Sequence, residues 1–170
     1  KPNGIMTIVL PHGVLFRDEE THMRKELVDL DILDCVIGLG PNLFFNASME
    51  ACIVICRNGK PDSHKGNVLF IDAKEEVTRK NAQSYLEPSH IKKIVDAYNQ
   101  YESINGFAQK VSIDEIRKND DLLKIQSYVK VDNRSNVVAF SDSYRQWNEL
   151  TEDNHNVICE LLNLLSHESG

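Results

Sequence analysis

The stretch GIMTIVLPHGVLFRDEE, Gly4 to Glu20, opens the chain with almost no preamble. Ile5 to Leu10 form an apolar run of strand length, relieved only by Thr7, and Pro11-His12-Gly13 breaks it at once. A strand without polar alternation reads as one buried on both faces, of the kind found inside a parallel sheet. Domains rarely start on a central strand, so its neighbours must be built elsewhere. Lys1, in place of an initiating methionine, reads as a cut end.

Working outward, the 170 residues are 41% hydrophobic and 26% charged, the balance of a globular protein with one core of ordinary size. No apolar run approaches the roughly 20 residues that cross a bilayer, and the first residues lack the parts of an export signal. No membrane contact is expected, and the cytoplasm is the expected compartment. A net charge of −7 argues against general attraction to phosphates, which needs a basic face. DNA work shared with a partner is left open. Cys35, Cys52, Cys56 and Cys159 sit in apolar contexts with no Cys-x-x-Cys pair, and read as buried free thiols. The histidines, His12, His22, His64, His90, His155 and His167, are scattered, so no metal site is expected.

The first half alternates strands and helices. Met23, Leu27 and Leu30 recur at helical spacing behind an acidic start, predicting a helix from about Glu19 to Leu30. Further strands are expected at Ile32 to Leu39, Ala51 to Arg57 and Asn67 to Ala73, the first buried like the opening one. A helix starting near Pro88 carries Ile91, Ile94, Val95 and Tyr98 on one face. Ser112 and Glu115 fit a capping box for a short helix to about Lys118. Tyr128 to Phe140 reads as a hairpin about Asn133-Arg134-Ser135-Asn136. The tail from Asp142 to His167 reads as helical, with Val157, Ile158, Leu161, Leu162 and Leu165 on one broad apolar stripe.

Complete catalytic motifs are missing. There is no Gly-x-Ser-x-Gly elbow, no phosphate loop and no His-Glu-x-x-His helix. Gly38-Leu39-Gly40 opens like a dinucleotide fingerprint, but Leu43 stands where the third glycine belongs. The notable segment is the apolar loop with Phe44 and Phe45 that follows the strand ending at Leu39. Its rings either fill a core or, lying outside the carboxyl end of a strand where α/β crevices form, stack on a flat ligand or nucleobase.

Five blocks in order, IVLPHGVLF, ILDCVIGLGPNLFFNASMEACIVICR, GNVLFIDA, YLEPSHIKKIVDAY and GFAQKVSIDEIRKNDDLLKIQSYV, resemble the modification subunit of type I restriction-modification systems. That subunit is an N6-adenine DNA methyltransferase using S-adenosylmethionine. The resemblance spans Gly4 to Val129. It implies an α/β fold in which this chain is the C-terminal part of a Rossmann-like methyltransferase sheet, mixed in direction and carrying its last strands, with a helical C-terminal tail. The strand at Ala51 to Arg57 would run antiparallel between those at Ile5 to Leu10 and Ile32 to Leu39. The family's glycine-rich cofactor loop and Asn-Pro-Pro-aromatic segment do not occur in these residues. S-adenosylmethionine is therefore expected in the full-length protein and not on this fragment, which is expected to be inactive alone.

Residue by residue, the resemblance places Phe44 in the wall of the pocket for an adenine flipped out of the duplex. Phe45 stands where the family often has another aromatic, Pro41 and Asn42 would shape the loop, and Pro11 and Gly13 match the turn after the opening strand. Gly40 replaces the family's usual proline and is expected to loosen the loop backbone. The implied divisions are residues 1–73, the sheet; 74–129, an extension of the same domain; and 130–170, hairpin and helical tail. The implied partners are DNA, reached through the complex, and the specificity and restriction subunits. The tail stripe is expected to contact the specificity subunit or, in the isolated fragment, to self-associate. The rival readings are a non-catalytic α/β interaction module and a nucleotide-binding protein using Gly38-Leu39-Gly40.

Overall fold

The opening stretch forms strand β1 (Ile5–Pro11). The computed structural model, which describes residues 3–44, 48–81 and 83–131, continues through α1 (Thr21–Asp29), β2 (Leu33–Leu39), β3 (Ala51–Arg57), β4 (Asn67–Ala73), β5 (Thr78–Lys80) and β6 (Gln83–Tyr85). Then come α2 (Pro88–Gln100), β7 (Ala108–Ser112), α3 (Ile113–Lys118) and α4 (Ile125–Tyr128). Five strands form one mixed sheet in the order β1-β3-β2-β4-β7. β3 runs antiparallel to both β1 and β2, as expected, and β2 is parallel to β4. β7, not foreseen as a strand, closes the far edge antiparallel to β4. The first half of the chain was legible because its strands are short apolar runs bounded by turn residues.

β1 departs from its reading as a buried strand. Ile5, Met6 and Val9 are 57%, 52% and 50% exposed. Among the described residues its ladder partner is β3 alone, which makes it an edge strand with apolar side chains on both faces. An apolar run records what its sequence is suited to be covered by, and these residues cover only part of it. Such an edge is a template for further pairing. Beside it, Met6, Ile8, Met23, Leu27 and Leu123 line an apolar groove of about 240 Å³ between β1 and α1.

Helices pack on both faces of the sheet. One core joins Val36, Val54, Val68 and Phe70 to Val28 of α1, Ile116 of α3 and Ile125 of α4. The other joins Ile37, Leu69 and Ile71 to Ile94 and Ala97 of α2 and to Tyr101. β2 contributes to both, which is why it is buried along its whole length. In α1 the inward residues are Arg24 and Val28, with Leu27 partly buried, while Met23 and Leu30 are exposed. The predicted apolar stripe therefore faces the groove and solvent more than the core. Arg24, 1% exposed, satisfies its guanidinium on the carbonyls of Val14, Arg17 and Asp121 and on the Thr21 hydroxyl. It ties the turn after β1 to the loop after α3 without a carboxylate. In α2, Ile91 and Val95 are half-exposed, and the buried face is set by Ile94, Ala97 and the flanking Tyr101.

The Ser112 hydroxyl accepts the Glu115 N–H at 3.3 Å, one arm of the expected capping box. Tyr128 closes α4 instead of opening a strand, with its hydroxyl donating to the Leu122 carbonyl at 2.6 Å. The remainder of the expected hairpin and the tail helix lie outside the described residues, apart from Val129, Lys130 and Val131. Cys35, Cys52 and Cys56 are buried free thiols, as read. Burial pushes the Cys52 thiol up to about 11, so it stays protonated and inert at neutral pH.

Candidate functional site

Because β1 and β2 both oppose β3 and β2 parallels β4, the carboxyl ends of β1, β2 and β4 lie at one end of the sheet. From β1 leaves a 3-10 turn over His12–Leu15, in which the Gly13 carbonyl accepts the N–H groups of Phe16 and Arg17. From β2 leaves the loop that carries Pro41, Asn42 and Phe44. Asn42 takes a left-handed conformation at φ 61°, one that asparagine tolerates better than most residues. Its carbonyl accepts the Ser84 N–H at 2.9 Å, so the β5–β6 hairpin props the loop. Leu43 packs on the core beneath, and Phe44 is left 43% exposed. Phe45 lies outside the described residues.

Gly40 sits where the chain leaves no room for a side chain. A Cβ there would stand 2.6 Å from the Lys74 carbonyl oxygen. The glycine thus permits a close approach between the β2 and β4 ends, and a proline at the same backbone position would meet that carbonyl too. Pro41 is half-buried beside it.

A polar string crosses the same end of the sheet. His12 Nδ1 lies 3.1 Å from Glu50 Oε2, and Lys74 Nζ lies 2.8 Å from that oxygen. The three come from the ends of β1, β3 and β4, so the string passes the end of β2, where the Phe44 loop departs. The His12 N–H donates to the Glu50 carbonyl at 3.1 Å, extending the β1–β3 ladder by one step. Burial lowers the His12 pKa and outweighs the raising effect of Glu50. Sequence reasoning passed over this string, since Glu50 and Lys74 carry no local signal that ties them to His12. Among the described residues, no group of three or more His, Cys, Asp or Glu is gathered for a metal, and no helix is long and apolar enough to cross a membrane.

The sequence model of the N-6 DNA Methylase family matches residues 1–136. The type I restriction enzyme MjaVII methylase subunit of Methanocaldococcus jannaschii is 34% identical over 162 residues, covering 91% of this chain and 28% of the relative. The MpnII methylase subunit of Mycoplasma pneumoniae is 35% identical over 127 residues, covering 74% and 23%. This chain therefore spans about a quarter of the length of these relatives. The crystal structure of a type I restriction-modification methyltransferase subunit from Streptococcus thermophilus superposes with a TM-score of 0.69 at 41% identity, covering 75% of this chain and 27% of that one. The EcoKI M protein shares the fold at a TM-score of 0.60 and 16% identity, over 78% of this chain and 36% of its own. With a mixed sheet of the same kind and a family match over most of its length, the chain belongs to the N-6 DNA methylase family.

Proposed function

We propose that this chain is the C-terminal part of the methyltransferase fold of a type I modification subunit, and that its Phe44 loop walls the pocket for a flipped-out target adenine. The observation that carries this reading is the pairing of an exposed, doubly apolar β1 edge with a half-exposed aromatic at the carboxyl end of the sheet. The first feature fits a sheet that continues in the rest of a longer subunit. The second fits a ring kept free for a base, since a phenylalanine serving only the core would be sealed. Flipping is needed because the adenine amino nitrogen is out of reach inside the stack. S-adenosylmethionine supplies the methyl group in the full-length protein. Pro41 and Asn42 shape the loop, with Phe45 as its second aromatic, while Pro11 and Gly13 form the supporting turn. The net acidic charge suits a subunit that reaches DNA within a complex with specificity and restriction subunits, in a reducing cytoplasm.

The described residues do not fit the cofactor. No glycine-rich turn links a parallel strand to a helix among the described residues, and Glu50, a carboxylate at the carboxyl end of the sheet, is already held by Lys74 and His12. Calorimetric titration of the isolated chain with S-adenosylmethionine is therefore expected to give no heat of binding. Micromolar affinity would overturn the reading of this chain as a part lacking the cofactor loop.

The tail stripe Val157, Ile158, Leu161, Leu162 and Leu165 is proposed to dock the specificity subunit, because an apolar face of that breadth must be covered. Leu161→Ser with Leu165→Ser should abolish that assembly, measured by size-exclusion chromatography, while the isolated chain keeps its melting temperature. A large fall in melting temperature with assembly intact would instead assign the stripe to the chain's own core.

A further inference from the structure

The β5–β6 hairpin leaves the sheet beside the Phe44 loop. Leu39 and Ala73, the last residues of β2 and β4, face each other in register, so the segments that follow them emerge at the same end of the sheet. Two contacts then join those segments. At the stem, a Cβ added to Gly40 would stand 2.6 Å from the Lys74 carbonyl oxygen and 3.0 Å from Val77 Cγ1. Further out, the Ser84 N–H donates to the carbonyl of Asn42, close to Phe44 in the same loop, at 2.9 Å. Ser84 is buried, so the ribbon is seated against the loop.

What this ribbon carries outward is positive charge. Arg79 pairs across the ladder with Ser84 and Lys80 with Gln83, and both cations are exposed at the tip beside Asn81. Successive strand residues point to opposite faces, so one cation flanks each side of the ribbon. Among the described residues, neither side chain is engaged in a hydrogen bond or an ion pair. The neighbouring lysines are spent, Lys74 on Glu50 and Lys93 on Glu76, and Glu87 beyond β6 accepts from the Thr78 hydroxyl at 2.7 Å. A free surface cation is ordinary by itself. Two of them on a ribbon tied to the Phe44 loop, in a chain of net charge −7, are not, because a chain with no general attraction to phosphates must hold them locally.

We propose that Arg79 and Lys80 grip the phosphate backbone of the DNA beside the nucleotide that reaches the Phe44 loop. The inference rests on the functional reading above and adds to it the surface that holds the strand. A nucleotide swung out of the stack turns about its own backbone, so the phosphates next to it stay at the mouth of the pocket and need an anchor there. The Arg79 guanidinium can take two oxygens of one phosphate, and the Lys80 ammonium serves a second as a point charge. Such contacts fix the position of the DNA without reading its sequence.

The test uses the full-length subunit that contains this chain, assembled with its specificity subunit, and follows duplex binding by fluorescence anisotropy from about 50 to about 200 mM salt. Arg79→Ala with Lys80→Ala should flatten the slope of log affinity against log salt by about 1.8, two phosphate contacts at about 0.9 each. The loss of affinity should accordingly be about tenfold larger at the low-salt end than at the high-salt end. It should be equal on a duplex with the target adenine and on one abasic at that position, since a phosphate contact does not read the base. Arg79→Lys with Lys80→Arg keeps both charges and should keep the slope. An unchanged slope in the alanine pair would overturn the contact, as would a slope lost equally in the charge-keeping pair, which would assign the effect to the shape of the hairpin. Failure of the alanine pair to assemble with the specificity subunit would overturn it too, by turning the cations toward that protein. A flattened slope together with full activity in Phe44→Ala would keep the phosphate contact and overturn the base-pocket reading instead.

Discussion

Asp34→Ala is expected to lower the unfolding free energy of the chain by about 3 kcal/mol, the lower end of what breaking a buried ion pair costs. Asp34 sits in β2 with a fully buried side chain. Its Oδ1 accepts from His64 Nδ1 at 2.9 Å and its Oδ2 accepts from the Tyr98 hydroxyl at 2.6 Å. Arg57 Nε lies 3.4 Å from Oδ2, near enough for charge attraction but not aligned as a hydrogen bond, while its Nη2 donates to the Tyr98 hydroxyl at 3.1 Å. The Tyr101 hydroxyl donates to the Asp34 carbonyl at 3.0 Å, and its ring stacks on His64 with centroids 3.5 Å apart. One carboxylate thus joins β2, β3, α2 and the turn before β4. Removing it leaves the Tyr98 hydroxyl and His64 without their acceptor and Arg57 without its counter-charge. Arg57 is partly exposed, so water restores some of its solvation, and the lower figure applies. Chemical denaturation should show the loss, with a melting point lower by about 10 °C for a domain of this size. Asp34→Asn, which keeps an acceptor for Tyr98 but not the charge, should lose about half as much. A loss below about 1 kcal/mol for Asp34→Ala would mean that the network stabilises no more than a surface pair does.

Burial of this network also explains a limit of the sequence. Asp34 stands between Leu33 and Cys35 in an apolar run, and nothing local reveals that Arg57, His64 and Tyr98 converge on it from 23, 30 and 64 residues away. The strands themselves were legible, because Ile37, Val54 and Ile71 belong to runs that only a covered sheet suits. β7 was not, since Ala108, Gln109 and Lys110 lack such a run and are extended by pairing with β4. The exposure of β1 could not be read from its residues either. Composition reports how much cover a strand is suited to, whereas the cover present depends on segments far away or outside these residues. At the site, the resemblance supplied the Phe44 loop, while the His12–Glu50–Lys74 string emerged only when three strand ends were brought together.

Phe44→Ala in the full-length subunit is expected to lower kcat/KM for DNA methylation by about five- to 150-fold, since one base stack is worth roughly 1–3 kcal/mol. The ring is 43% exposed at the mouth of the β2 loop, so its removal costs the fold little of the transfer and cavity energy that a sealed phenylalanine would. The loop has independent supports that remain, in the Asn42–Ser84 backbone hydrogen bond and the Leu43 core contact. Affinity for S-adenosylmethionine should therefore stay within about twofold of wild type, because an exposed side chain that leaves the loop intact transmits little to a distant site. Phe44→Tyr retains an aromatic face and should keep most of the activity, which separates loss of stacking from loss of loop shape. Equal losses of methylation and cofactor affinity in Phe44→Ala would mean that the ring organises the fold. A variant with full activity would remove Phe44 from the base pocket and return the loop to a purely structural role.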